Sequence, residues 1–359
     1  MIGCLKDLRF SSAESAILVN MRSGMGGLTG VQRYTQELVR RLDGRVRAIF
    51  PKHCLNGVRG HLWEQTVLSV LARGHLLWSP ANVGPLSIRH QVLTIHDLAC
   101  IEHPEWFDRR FAAWYRCIIP MLARRVTRLI TVSEFSRRRL LDLTGLPESR
   151  VLVIPNGVDA RFRPRSADEI KHVKQKIGIY PDTYVLGVGT VEPRKNLPQL
   201  LNAWRLSEPC LPADVWLVIV GAQGKSHIFR ATKIESIPSR VLFTGFVADD
   251  DLPALYSGAV ALAYPSMYEG FGLPALEAMA SGTVPIVADS TALPEVVGDA
   301  GLLVNPSRTE DLAAAITRIV EDSELRDELS RRGIDRSREF TWERAADRTW
   351  RALEEAAGV

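Results

Sequence analysis

Two carboxylates, Glu269 and Glu277, stand eight residues apart in the run YEGFGLPALEAMASG (268–282), with Gly270, Gly272 and Pro274 between them. On one unbroken helix an eight-residue step turns about 80° past two full turns, so the pair would share no face. An unbroken helix is also ruled out by composition. Pro274 has no N–H and suits a first helical turn, and two glycines precede it. The stretch therefore reads as a buried strand (GAVALAYP), a loop carrying Glu269, and a short helix closed by Gly282, with Glu277 in its first turn. The free N–H groups of Gly270, Phe271, Gly272 and Leu273 face the same space and favour an anion. Carboxylates beside an anion site suit a ligand that carries both phosphates and hydroxyls, as a nucleotide sugar does. The plainer alternative for either glutamate is a charge complementing a helix dipole.

Three further constellations fall at strand ends. In GTVEPRKNL (189–197), Arg194 and Lys195 are adjacent cations able to neutralise a diphosphate and stabilise it as a leaving group. In TIHDL (94–98), a strand delivers His96 and Asp97, the histidine able to donate to a sugar hydroxyl. In SGMGGLTGVQRYTQEL (23–38), glycines including Gly26 and Gly27 allow backbone to approach a ligand ahead of a helix. That loop misses the dinucleotide spacing, because Thr29 stands where the third glycine belongs and no acidic residue ends the next strand, which disfavours NAD. The triplet in ADDDL (248–252) precedes a helical run and reads as a cap in preference to a metal site.

The elements that must position these residues alternate throughout. Six short apolar runs (AILVN, VRAIF, HLLWS, QVLTIHD, RLITVS, VLVIPNG) are interleaved with helical segments. After residue 165 six more follow (YVLGVGT, VWLVIVG, RVLFTGF, AVALAYP, VPIVAD, GLLVN). Such alternation implies α/β architecture with parallel sheets covered on both faces, and the restart implies two of them. The expected domains are 1–165 and 166–340, with the linker near 156–166. Ligands of such sheets bind beyond the strand carboxyl ends, hence in a cleft between the two.

The 359 residues, 46% of them hydrophobic, suit a two-domain globular protein. No apolar run is long enough to span a bilayer, the N-terminus lacks a signal peptide's apolar core, and the five scattered cysteines contain no C-x-x-C. The expected location is cytoplasmic, at the inner face of the plasma membrane if a membrane is engaged. Residues 1–165 hold 25 Lys/Arg against 13 Asp/Glu, a net +12, whereas 166–359 hold 20 against 28, a net −8. The basic front half suggests an anionic partner. No basic-aromatic nucleic-acid motif appears, so nucleic acid is not expected. An anionic membrane is the other candidate, and the segment 109–129, which mixes arginines with Trp114, Tyr115, Ile118, Ile119 and Leu122, reads as an interfacial helix interrupted by Pro120 or as a surface helix with one buried stripe.

Taken together, these residues resemble retaining GT-B glycosyltransferases of glycosyltransferase family 4. The resemblance covers nearly the whole chain and rests on Glu269-x7-Glu277, GTVEPRKNL, TIHDL, TVSEFS (131–136), VIPNGVD (153–159) and FTGFVADDDLPALY (243–256). It implies two Rossmann-like doubly wound domains facing across a cleft, an acceptor-binding first domain, a nucleotide-sugar-binding second domain, and a last helix (341–359) crossing back onto the first. It implies that Glu277 holds the donor ribose, that Glu269 contacts the donor sugar, and that the N–H groups of Gly270 to Leu273 with Arg194 and Lys195 bind the diphosphate. It places His96 against the reacting sugar and Gly26 and Gly27 near the diphosphate or acceptor. Many members carry an arginine where this chain has Thr190, which leaves the phosphate charge to Arg194 and Lys195. No cofactor or metal is implied, since the nucleotide sugar is the substrate. The wording of WSPANVGPLSIRHQVLTIHDL and HPEWFDRRFAAWYR looks like bacterial mannosyl- and rhamnosyltransferases of surface polysaccharide assembly. A GDP-mannose donor and a saccharide or lipid-linked saccharide acceptor follow, with a UDP- or dTDP-sugar donor, or a UDP-sugar epimerase on the same fold, as alternatives.

Overall fold

The computed structural model describes residues 17–25, 29–55, 57–221, 228–230, 232, 234 and 236–358. All twelve apolar runs are strands. The first sheet comprises β1 (Ile17–Asn20), β2 (Arg47–Ile49), β3 (Leu76–Ser79), β4 (Gln91–Ile95), β5 (Arg128–Thr131) and β6 (Val151–Val153), in the order β2-β1-β3-β4-β5-β6. The second comprises β7 (Thr183–Val188), β8 (Val215–Val220), β9 (Val241–Gly245), β10 (Ala261–Tyr264), β11 (Val284–Ala288) and β12 (Leu302–Val304), in the order β12-β11-β10-β7-β8-β9. Every pairing is parallel. Strands buried along their whole length, such as β4 and β11, read as continuous apolar runs because helices cover both faces.

In each sheet the strand order reverses once, between β1 and β3 and between β7 and β10. Loops leaving the carboxyl ends of two such strands diverge and open a crevice. The loop after β7 carries Arg194 and Lys195, and the loop after β10 carries Glu269. The second sheet's reversal point thus sets the cation pair beside the carboxylate.

Two stretches of chain join the halves, and they touch. Val158 donates its N–H to the Phe340 carbonyl (3.0 Å) and forms a parallel bridge with Thr341. A Cβ on Gly157 would lie 2.1 Å from the Trp342 backbone nitrogen, so only glycine permits the crossing. Beyond it, Trp342 begins the Trp342–Ala357 helix and is wholly buried. Its cluster mixes Tyr34, Leu38 and Trp78 of the first sheet's layers with Phe271, Leu273, Leu276 and Met279 from around the Leu273–Ala280 helix, so apolar packing is continuous between the halves.

The helix Arg109–Arg125 runs unbroken through Pro120. Ile118, Ile119 and Leu122 are buried against Leu93, Ile95 and Leu129 of the first sheet. Those three side chains therefore face the protein core, which corrects their expected role at a membrane interface.

Trp342→Ala removes a large, fully buried side chain at the crossing. We expect a loss of about 3–5 kcal/mol, read as an earlier first transition in urea. Unchanged unfolding would mean that the last helix adds nothing to the first domain.

Candidate active site

Glu269 is 6% exposed. One of its oxygens accepts from Lys195 Nζ, the Tyr264 hydroxyl and the Ser266 hydroxyl, each at 2.6 Å. Arg194 stands 3.6 Å from the other. Burial pushes the Glu269 pKa up, but Lys195 and Arg194 outweigh it and hold the carboxyl down at about 2. Glu269 is thus a fixed anion near neutrality, able to accept hydrogen bonds from hydroxyls and unsuited to proton shuttling.

Arg194 is ringed by acids. It binds Glu192, which is 1% exposed, approaches Glu269, and lies 3.7 Å from Asp97 of the first domain. Burial opposes its charge, yet Glu192, Glu269 and Asp97 together raise its pKa well above the ordinary value. Three carboxylates thus surround Arg194, and one of them, Glu269, also holds Lys195. Thr190 is exposed two residues before Glu192.

Across the cleft, a Cβ on Gly270 would lie 2.0 Å from the His96 carbonyl oxygen. This close approach is what the first glycine of the loop provides. His96 Nε2 stands 2.8 Å from the Pro80 carbonyl, and a carbonyl only accepts, so Nε2 carries the proton. Burial lowers the ring's pKa, the Pro80 carbonyl and Asp97 opposing, and leaves it neutral. Its remaining nitrogen, Nδ1, is an acceptor. The ring's one donor is thus spent on Pro80, so the expectation that His96 donates to a sugar hydroxyl gives way to Nδ1 as an acceptor.

Gly272 holds φ +108° at the N-cap of the Leu273–Ala280 helix. Ala275 and Leu276 donate back to the Gly272 carbonyl and Pro274 has no N–H, while the N–H groups of Gly270, Phe271, Gly272 and Leu273 donate to no backbone carbonyl among the described residues. Phe271 and Leu273 turn their side chains into the shared apolar core. Glu277 is the fifth residue of this helix, one turn deeper than expected. It is 5% exposed, accepts from the Tyr256 hydroxyl at 3.1 Å, and faces Arg33 Nε at 3.8 Å. Burial raises its pKa, and Arg33 and Tyr256 offset this only in part.

Arg33 belongs to the Gly30–Arg41 helix of the first domain, and it also pairs with Asp249. Arg161, in the chain joining the halves, pairs with Asp249 and Asp250, while Lys176 holds Asp251 at 2.8 Å. The acidic triplet is thus a set of ion-pair partners. Asp251 occupies the N-cap position, but its side chain does not cap, contrary to expectation.

Sequence reasoning named Glu269, Arg194, Lys195, His96, Glu277 and the Gly270–Leu273 turn; the fold sets Arg194 and Lys195 on Glu269 and Gly270 against His96, whereas Glu277 lies apart, on Tyr256 and Arg33. Gly26 and Gly27 lie outside the described residues. Arg33, Glu192, Tyr256, Tyr264 and the Asp97–Arg194 pair were not assigned. Asp249 was the one written signal for the Arg33 network.

The two glutamates should separate by pH. Glu277, whose pKa burial raises, protonates before Glu269 as pH falls, so nucleotide affinity should show an acid limb that belongs to Glu277. Glu269, depressed to about 2, keeps its charge throughout. Titration calorimetry across mildly acid pH should find this limb in the wild type and not in Glu277→Gln. A limb that survives the substitution assigns it elsewhere. Lys195→Ala should mainly slow turnover, by roughly a hundredfold, as loss of one charge at a leaving group does; unchanged turnover would remove Lys195 from the site.

Comparison with known proteins agrees with this geometry. The family profile "Glycosyl transferases group 1" matches residues 169–336, and "Glycosyltransferase Family 4" matches residues 65–162. The chain is 32% identical over 279 residues to O-antigen chain mannosyltransferase B of Escherichia coli, covering 77% of this chain and 73% of that one. It is 30% identical over 263 residues to serotype-specific mannosyltransferase WbdA of Escherichia coli, covering 71% of this chain and 32% of WbdA. Among solved structures, Anabaena Alr3699/HepE in complex with UDP and glucose superposes with a TM-score of 0.75 at 19% identity, covering 95% of this chain and 99% of that one. With two parallel six-stranded sheets and Glu269 to Glu277 at the reversal point of the second, the chain belongs to the GT-B glycosyltransferases of family 4.

Proposed function

We propose that the protein transfers mannose from GDP-mannose to a saccharide or lipid-linked saccharide acceptor in polysaccharide assembly, with retention of anomeric configuration and without a metal. The observation that carries the reading is the fixed Glu269 anion set between Lys195 and Arg194, opposite His96. The mannosyltransferase names of the relatives at 30–32% identity support the sugar. A UDP- or dTDP-sugar donor is the competing reading.

In this reading Glu277 accepts from the ribose hydroxyls. The N–H groups of Gly270 to Leu273, with Arg194 and Lys195, bind the diphosphate, and Thr190 lies at its edge. Binding transfers the two cations from carboxylate partners to phosphate oxygens. Glu269 and the Nδ1 of His96 accept from hydroxyls of the donor sugar and orient its anomeric carbon. The acceptor oxygen then attacks from the side the diphosphate leaves. The new C–O bond forms as the old one breaks, and the acceptor proton passes to the departing phosphate oxygen. Glu269, too acidic to take that proton, holds the sugar instead. The basic first domain engages an anionic membrane on the cytoplasmic side, where a lipid-linked acceptor would be met.

Calorimetric titration with GDP-mannose, UDP-glucose, UDP-N-acetylglucosamine and dTDP-rhamnose, with chelator present, tests the donor. Tight binding of GDP-mannose alone is expected. Preference for another donor overturns the mannose assignment, and binding that requires added divalent metal overturns metal independence. The anomeric coupling in the product's NMR spectrum tests retention.

A further inference from the structure

Between β2 and β3 the chain forms a helix Gly57–Trp63, a π-helical turn Glu64–Leu68 and a final helical turn Ser69–Leu71. Its inward positions recur every four residues. Gly60, Glu64, Leu68 and Ala72 are all buried. A Cβ on Gly60 would lie 2.7 Å from the Leu55 carbonyl, Glu64 accepts from Asn20 at the end of β1 (2.8 Å), and Leu68 packs against Leu18 and Leu77. A regular α-helix drifts about 40° at each four-residue step. The π turn, with more residues per turn, removes that drift and keeps one side seated along the segment.

Opposite this side lie Val58, Leu62 and Val70 with Thr66 between them, and Val67 and Leu71 flank that line, all exposed. Val58 is 75% exposed, Leu62 58%, Val67 46%, Val70 66% and Leu71 52%. These are five of the twelve exposed large hydrophobic side chains among the described residues, gathered within fourteen positions. Such clustering differs from the scattered exposure of single apolar side chains, which needs no explanation. Exposed Arg59 and Arg73 stand at its two ends and pair with no carboxylate among the described residues. From Gly44 to His96 the only acidic residue is Glu64, and it is buried. The surface is thus apolar at its centre and basic at its rim, with no anion of its own nearby in sequence.

We propose that the outward face of residues 58–71 is the surface that docks on an anionic lipid bilayer. The five apolar side chains enter the boundary between headgroups and acyl chains, while Arg59 and Arg73 meet lipid phosphates. The inference rests on the membrane reading given above and moves it from the Arg109–Arg125 helix, whose apolar side is buried, to this segment. The Glu64 contacts to Asn20 and Arg22 tie the docked helix to the end of β1, so the cleft stands next to the surface from which a lipid-linked acceptor would come.

The test is flotation of the full chain with vesicles of phosphatidylglycerol mixed with phosphatidylcholine, and of phosphatidylcholine alone. We compare the wild type, a Leu62→Gln/Val70→Gln/Leu71→Gln variant and an Arg59→Gln/Arg73→Gln variant. All five positions are exposed, so thermal melting should match the wild type. The wild type should bind only the anionic vesicles. The glutamine triple should bind roughly tenfold or more weakly, as loss of three apolar insertions requires. The arginine double should lose affinity about fivefold per arginine at low salt and little at high salt. Wild-type binding that the triple retains overturns this face and leaves the membrane reading standing. Wild-type binding to neither vesicle overturns both. A dimer in sedimentation velocity that the triple abolishes, without vesicle binding, would assign the face to a second copy of the chain and overturn the proposal.

Discussion

The cleft depends on keeping a carboxylate ionised where water is largely excluded. Glu269 achieves this by collecting Lys195, Tyr264, Ser266 and Arg194 around two oxygens. Burial alone pushes a carboxyl's pKa up, as it does for Glu277 eight residues on despite Arg33. The requirement then spreads. Arg194 must be buried to reach Glu269, and it needs Glu192 to be tolerated there. Asp97 adds a third acid from the opposite domain, so the ionic balance around Arg194 is shared by both halves of the molecule.

Arg33 does the same for Glu277. It extends from a first-domain helix to two acids of the second, Glu277 and Asp249, and Arg161 joins the set from the connecting chain. The carboxylate assigned to the ribose is therefore conditioned by a residue of the other domain. Arg33 is what opposes the rise in its pKa that burial causes. The glycine loop contributes by steric means: Gly270 against the His96 carbonyl sets the closest backbone approach across the cleft.

Much of this was legible in the sequence because it is local. The twelve strands are short apolar runs between helical segments, and their carboxyl ends carry the loops with chemistry. Glu269, Arg194, Lys195 and Glu277 follow from type and position alone. What stayed hidden is long-range or inverted. Nothing near Arg33 announces that it meets Asp249, 216 residues away. The ring of His96 looked like a donor because the Pro80 carbonyl that takes its proton is remote in sequence. The Arg109–Arg125 helix looked interfacial because its arginines and aromatics share a segment, although its aliphatic side faces the sheet. The Gly57–Leu71 segment escaped notice for the converse reason. Apolar residues occupy its outer face as well as its inner one, so no single-stripe period marks it as a helix.

The paired crossing at Gly157 and Trp342 has a mechanical consequence. A domain hung on one length of chain can swivel about it. Here two lengths run side by side, linked by the Val158–Phe340 hydrogen bond and the Val158–Thr341 bridge. Side-by-side tethers resist torsion while still allowing bending about the line that joins them. The paired lengths thereby fix one mutual orientation of the halves, the one in which Arg33 faces Glu277 and Asp97 faces Arg194.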